Sequence, residues 1–347
     1  MNLYLFYLML LSLGLSMLVH FLVIDVSHKK GIFLDNIQKI QKAHQNPIPR
    51  IGGLGIFLSS MFIIFDKEIG TSIMLASIPA FIAGFIEDYS GKVAPLQRLL
   101  IMFLSPIFFI TIIYPTLSNE LVHISTFLLF LSALFIIIFV VAMTNGVNFI
   151  DGQNGLAAGS IIISLLTYIT ISIIIGDLNV VFVCSIIAIG TLSFLFFNYP
   201  KAKIFLGDGG AYFLGFITAI TGVLLFTRNS DKISFLLIPT LLIYPLWEVV
   251  FSTLRKLFYE KISPLQSDKY HFHQLVFRTS TEQKAHYPAL KILPLQLFIS
   301  IIAIFCMHTH WLLAVLMLLY IVFYLFLYIY FRKADTLRRV MHFSKNK

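Results

Sequence analysis

The chain is short of cysteine and short of charge. Its 347 residues include two cysteines, Cys184 and Cys306, both inside apolar runs. That excludes a disulfide framework and a cysteine-based metal knuckle. Only 12% of the residues are charged, too few to cover a soluble particle of this length. Internal repeats and low-complexity segments are lacking as well, and no polar stretch is long enough for a separate soluble domain. What is abundant is apolar: 59% of the residues are hydrophobic, the composition of a polytopic membrane protein. The formal charge of +9 does not point to nucleic acid, because the Lys and Arg sit in short segments beside apolar runs, as in loops at a bilayer surface.

Apolar stretches long enough to cross a bilayer, with allowance for tilt, lie near 3–24, 51–65, 71–86, 99–115, 121–143, 157–175, 180–197, 211–227, 233–254, 292–307 and 311–331. The expectation is an all-α bundle of about eleven transmembrane helices, one membrane-embedded domain over 1–347, with Met1–Leu22 kept as the first helix. With the N-terminus outside, the inner segments are 25–50, 87–98, 144–156, 198–210, 255–291 and the tail from Phe331. They hold 22 of the 25 basic residues, leaving Lys67, Arg228 and Lys232 outside. This imbalance sets the orientation and makes the C-terminus cytoplasmic. Segment 255–291 is then the longest cytoplasmic loop, and the outer connections are little more than turns.

The motifs share the inner side. Stretch 145–155 carries Asn148, Asp151 and Asn154 at a spacing of three, which shares one face if helical. It also holds three glycines in eleven residues, as a sharp turn or a backbone lying against a ligand requires. An ordinary polar turn capped by Asn and Asp is the bland alternative. Asp208, in Leu-Gly-Asp-Gly-Gly from Leu206, opens an apolar helix, where a carboxylate either caps the helix or holds Mg²⁺ beside a diphosphate bound by glycine amides.

Glu87 and Asp88 end the third span. Adjacent helical residues point about 100° apart, so the two need not serve one ligand. Lys92 and Arg98 follow, placed for phosphate. His271 and His273 lack the further ligands of a zinc site and suit hydrogen bonds to phosphate oxygens. His44, Pro47, Pro49, Arg50, Gly52 and Gly53 form a stiff inner junction with Arg50 as a phosphate ligand. Pro245 is expected to kink the ninth span and free a carbonyl. Glu248, two turns from the inner edge, reads equally as a structural partner or a catalytic group.

In order and sidedness these motifs resemble those of the polyprenyl-phosphate N-acetylhexosamine-1-phosphate transferases, glycosyltransferase family 4, including the undecaprenyl-phosphate N-acetylglucosaminyl 1-phosphate transferases. The resemblance runs from Pro49-Arg50-Ile51-Gly52-Gly53 to His271-Phe272-His273. It matches Glu87-Asp88 to the family's acidic pair, Asn148 to Leu156 to its nucleotide motif, Asp208 to its magnesium aspartate, and His271 and His273, after Asp268, to its histidine motif. Two departures stand out: Glu87 and Asn154 occupy positions where the family often has aspartate. The His-Phe-His-Gln segment and Arg50 look more like the O-antigen, capsule, common-antigen or teichoic-acid branch than the cell-wall branch with its triple histidine.

The resemblance implies transfer of N-acetylhexosamine 1-phosphate from a UDP-sugar, UDP-N-acetylglucosamine first, to undecaprenyl phosphate in a bacterial inner membrane, with release of UMP. It implies Mg²⁺, with Mn²⁺ as substitute, on Asp208 with Glu87 or Asp88. Catalytic roles fall to Glu87, Asp88, Asp151, Asp208, His271 and His273, and nucleotide or phosphate contacts to Arg50, Asn148, Asp151, Asn154, Lys92 and Arg98. Direct attack on the donor phosphorus is the first mechanism and a covalent enzyme phosphate the second. Homodimer assembly is compatible with it. The rival class is a transporter or flippase for a phosphorylated or lipid-linked solute, which needs more polar groups at the membrane midplane than Glu248 supplies.

Overall fold

A computed structural model describes residues 3–35, 47–117, 126–266 and 269–345. His44 and Asp268 lie outside the described residues. The order is α1 (Leu3–Lys30), α2 (Gly53–Ser60) with a 3₁₀ turn (Met61–Phe65), α3 (Gly70–Ser90), α4 (Pro95–Leu117), α5 (Thr126–Ile150), α6 (Leu156–Ile175), α7 (Leu178–Asn198), α8 (Gly207–Thr227), α9 (Leu237–Leu241), α10 (Ile243–Leu254) with a π-helical turn (Arg255–Glu260), α11 (Phe272–Thr279), α12 (Tyr287–Phe305) and α13 (His310–Lys345).

Nine of the described helices are long and apolar enough to cross a membrane. The expected spans at 51–65 and 233–254 take a different form: both are broken. Helix α2 tightens into its 3₁₀ turn after eight residues. The second break is dictated by Pro245. A proline has no N–H for the carbonyl four residues back, so the helix stops at Leu242 and restarts. Pro245 then falls in the first turn of α10, where N–H groups have no helical partner anyway. The carbonyl of Leu241 that it leaves open accepts the Ser164 hydroxyl at 3.3 Å, as the proline predicted. Segment 255–291 is also more ordered than a loop, since it contains α11 and the first turn of α12.

The connections segregate to two ends. At one, Asp66 Oδ1 accepts the amides of Ile69 and Gly70 and so caps α3, while Glu68 meets Asn179 and Arg228. The amide of Ser234 reaches the Met307 carbonyl there at 2.7 Å. At the other end, the amides of Gly52 and Gly53 bond to the carbonyls of Phe205 and Leu206, both at 2.8 Å, and Asn154 N–H bonds to Ala285 O at 3.1 Å.

Helix α8 is the axle. In its spanning window 89% of residues are buried inside the protein, against 22% for α1. Helices in lipid gain little from hiding apolar surface and associate through close packing, which small residues permit. Glycines supply that closeness here. A Cβ on Gly84 of α3 would collide with the backbone of Asp208 and Gly209, one on Gly53 with the backbone of Gly210, and one on Gly215 with Thr144 of α5. Three neighbouring helices thereby press onto the first turns of α8.

Candidate active site

At the end of the bundle where Gly52 and Gly53 meet Phe205 and Leu206, the polar cluster is arranged around the start of α8. Gly207 has φ +77°, a left-handed turn that glycine adopts without Cβ strain. A side chain there would also strike the Asp88 carboxylate and the Arg50 carbonyl. No residue of α8 caps its own helix. The cap comes from α3: Asp88 Oδ1 accepts Asp208 N–H at 2.9 Å and Oδ2 accepts Gly209 N–H at 2.8 Å. A carboxylate on these amides satisfies orphan donors and complements the helix dipole.

Asp208, in that first turn, is held from three sides. Its Oδ1 accepts Asn148 Nδ2 at 3.0 Å and lies 3.5 Å from the Arg50 guanidinium. Its Oδ2 pairs with Arg98. Arg50 also approaches Asp88 at 4.0 Å and Asp35 at 3.9 Å. Burial alone lowers the pKa of the Arg50 guanidinium, but the carboxylates of Asp208, Asp88, Asp35 and Asp151 more than offset it and raise it further. Asp151, half-buried just past α5, makes no hydrogen bond through its carboxylate to a described residue. Desolvation, then the negative charges of Asp208 and Asp88, push its pKa well above the ordinary carboxylate range, with Arg50 opposing. Four separate segments thus bring Arg50, Asp88, Arg98, Asn148, Asp151 and Asp208 together.

The acidic pair divides. Asp88 reaches the cluster, whereas Glu87 Oε2 turns to the amide of Val93 at 2.8 Å and ties the turn after α3. Lys92 remains exposed on that turn. Asn154 is also apart from the cluster: its Nδ2 donates to Pro200 O at 2.9 Å, a tie between loops.

His271 Nδ1 lies 3.0 Å from Glu248 Oε1, and its ring meets Phe149 edge-on at 5.1 Å. His273 lies nearly parallel to it at 5.8 Å and packs on Gly152, where a Cβ would press on the imidazole. Both histidines therefore back onto the loop that carries Asp151. Sequence reasoning missed the cavity of about 730 Å³ beside Asn154, lined by His28, Lys201, Lys203, Lys284 and His286. Its signal was there in Lys201 and Lys203, counted only as inner charge.

Among the described residues, no group of three or more His, Cys, Asp or Glu is placed to hold a metal alone. Mg²⁺ does not need such a cage, since it binds through one or two carboxylates with waters and substrate phosphates. The Asp151 carboxylate, which accepts no hydrogen bond from a described residue and is destabilised as an anion by desolvation and by Asp208 and Asp88, is a donor whose charge a hard cation would offset. The oxygen donors of Asp151 and Asp208 fit that ion.

A family profile described as glycosyl transferase family 4 matches residues 71–226. The undecaprenyl-phosphate alpha-N-acetylglucosaminyl 1-phosphate transferase of Thermotoga maritima is 32% identical over 74% of this chain and 77% of its own length. A probable undecaprenyl-phosphate N-acetylglucosaminyl 1-phosphate transferase of Bacillus subtilis is 30% identical over 67% of this chain and 66% of its own. A phospho-N-acetylmuramoyl-pentapeptide-transferase of Staphylococcus aureus is 34% identical over 51% of this chain and 62% of its own length.

Proposed function

Given that the chain belongs to glycosyl transferase family 4, we propose that it moves N-acetylglucosamine 1-phosphate from UDP-N-acetylglucosamine to undecaprenyl phosphate. The observation that carries this reading is the convergence of Asp88, Asp151, Asp208 and Asn148 with Arg50 and Arg98 at one end of the bundle. Relatives named for this reaction in Thermotoga maritima and Bacillus subtilis support it. The transport alternative has no such support.

A phosphate oxygen of the lipid attacks the sugar-bearing phosphorus of the donor. A new P–O bond forms, the bond to the bridging oxygen of UMP breaks, and UMP leaves with that electron pair. The lipid phosphate is already largely ionised near neutral pH, so the attack requires no strong base, and direct displacement is preferred to a covalent enzyme phosphate.

Asp208 and Asp151 would hold Mg²⁺, or Mn²⁺ in its place, and a bound cation supplies charge neutralisation to the diphosphate and the departing UMP. Asp88 fixes the α8 amides, and Arg50 and Arg98 stabilise transferring phosphoryl oxygens. His271 and His273 donate hydrogen bonds to phosphate, and the basic cavity beside Asn154 receives the anionic donor. The excess of Lys and Arg in the loops at this end supports a site at the cytoplasmic face of a bacterial inner membrane.

The test is purified protein with UDP-N-acetylglucosamine, undecaprenyl phosphate and Mg²⁺. The expected products are UMP and a lipid-linked sugar diphosphate in equal amounts, lost with EDTA. UMP without the lipid product would replace transfer by hydrolysis. A panel of UDP-sugars tests the choice of hexosamine.

A further inference from the structure

Glu248 is a carboxylate within a broken span, 1% exposed, and none of its hydrogen bonds goes to the carboxylate cluster. Burying a charge there is costly unless it is fully partnered. Its partners are specific. Oε1 faces His271 Nδ1 at 3.0 Å and accepts Phe272 N–H at 3.2 Å, while Oε2 accepts the Tyr324 hydroxyl at 2.7 Å. Tyr244, Tyr320, Tyr328 and His273 are the other titratable groups facing it. The pair gathers two elements onto one ring, because Glu248 comes from α10 and Tyr324 from α13.

We propose that Glu248, backed by Tyr324, is the positioning residue that orients His271 in the transfer reaction. A carboxylate on Nδ1 selects the tautomer with a proton there and fixes the ring plane, leaving Nε2 as the nitrogen for a phosphate oxygen. Phe149 supplies the opposite wall. Because Phe149 lies two residues before Asp151, the imidazole keeps a fixed relation to the loop carrying that carboxylate. Pro245 contributes as well: the restart it imposes sets the register that brings Glu248 to the histidine. The proposal rests on the reading of His271 as a phosphate contact.

The test is a double-mutant cycle on the full-length protein. Glu248→Ala should lower kcat by roughly 10- to 100-fold, the usual effect of removing an orienting partner, with the KM for the UDP-sugar nearly unchanged. Glu248→Gln keeps an oxygen for the Nδ1 proton and should recover most of the loss. In a His271→Ala background, Glu248→Ala should cost almost nothing further. A purely structural role would lower turnover equally in both backgrounds, and that additive result would overturn the proposal, as would normal turnover in Glu248→Ala. If Glu248→Ala does not fold, Tyr324→Phe runs through the same cycle with a smaller expected loss and the same criterion. Normal turnover in His271→Ala would overturn this proposal and the role of His271 together, while leaving transfer itself standing. A wild-type protein that makes no lipid product would instead sink the proposed function.

Discussion

The two ends of the bundle treat charge in opposite ways. At the end that holds the start of α7, Asp177 is buried, and Arg228 Nε reaches it at 3.1 Å, Asn229 Nδ2 at 2.9 Å and Val180 N–H at 3.3 Å. Arg228 also pairs with Glu68. Carboxylates and donors are matched there, and loops 176–179 and 228–234 are held together. At the end that holds the start of α8, Asp88, Asp151 and Asp208 crowd around two guanidiniums, and the Asp151 carboxylate accepts no hydrogen bond from a described residue. A matched cluster is a fastener. An unmatched one keeps electrostatic energy in reserve for whatever binds, and perturbed groups of this kind concentrate at functional sites.

Mutations at the two ends should therefore separate turnover from stability. The largest effect on turnover belongs to Asp208→Asn, expected to reduce kcat/KM by about 100- to 1000-fold while gel filtration and melting temperature stay close to wild type. Near-normal turnover would remove Asp208 from the site and blur the contrast. Asp151→Asn should follow: turnover falls and the Mg²⁺ concentration for half-maximal rate rises, measured by metal titration. An unchanged metal requirement would assign the ion elsewhere.

Gly84→Ala tests the packing that supports the cluster. The added methyl meets α8 backbone and not a flexible side chain, so a loss of about 1–3 kcal/mol is expected, read as a lower melting temperature. Arg228→Ala should do the converse of the first two, costing about 1 kcal/mol of stability because Asp177 keeps Asn229 and an amide, with kinetics unchanged. A kinetic defect there would mean that the ends communicate. Lys92→Ala, on an exposed turn, should alter turnover least.

Much of this was legible in the residues. Long apolar runs read directly as helices, and the basic loops mark one end of the bundle. Asn148, Asp151, Asp208 and His271 stand out in the sequence as polar residues between apolar spans, and the first three converge in the structure. Geometry within the site was less legible. Glu87 and Asp88 look equivalent in sequence, but their directions on α3 differ by a third of a turn, so one caps α8 and the other ties a local turn. Asn154 fits the face of Asn148 only if residues 148–154 stay helical. The helix ends at Ile150, and Asn154 is carried to Pro200 instead. Pro245 revealed its own break, but nothing local in 51–65 announced a 3₁₀ turn. The partners of Glu248 were hidden because α13 contributes its tyrosine from 76 positions away.

The deep burial of α8 has a consequence for the setting in which this chain works. Spans on the rim adapt to a thicker or thinner bilayer by tilting. The helix that carries Asp208 has almost no lipid neighbours to follow. Its position is set by glycine-lined protein contacts, so the reacting geometry is insulated from changes in membrane composition that move the outer helices.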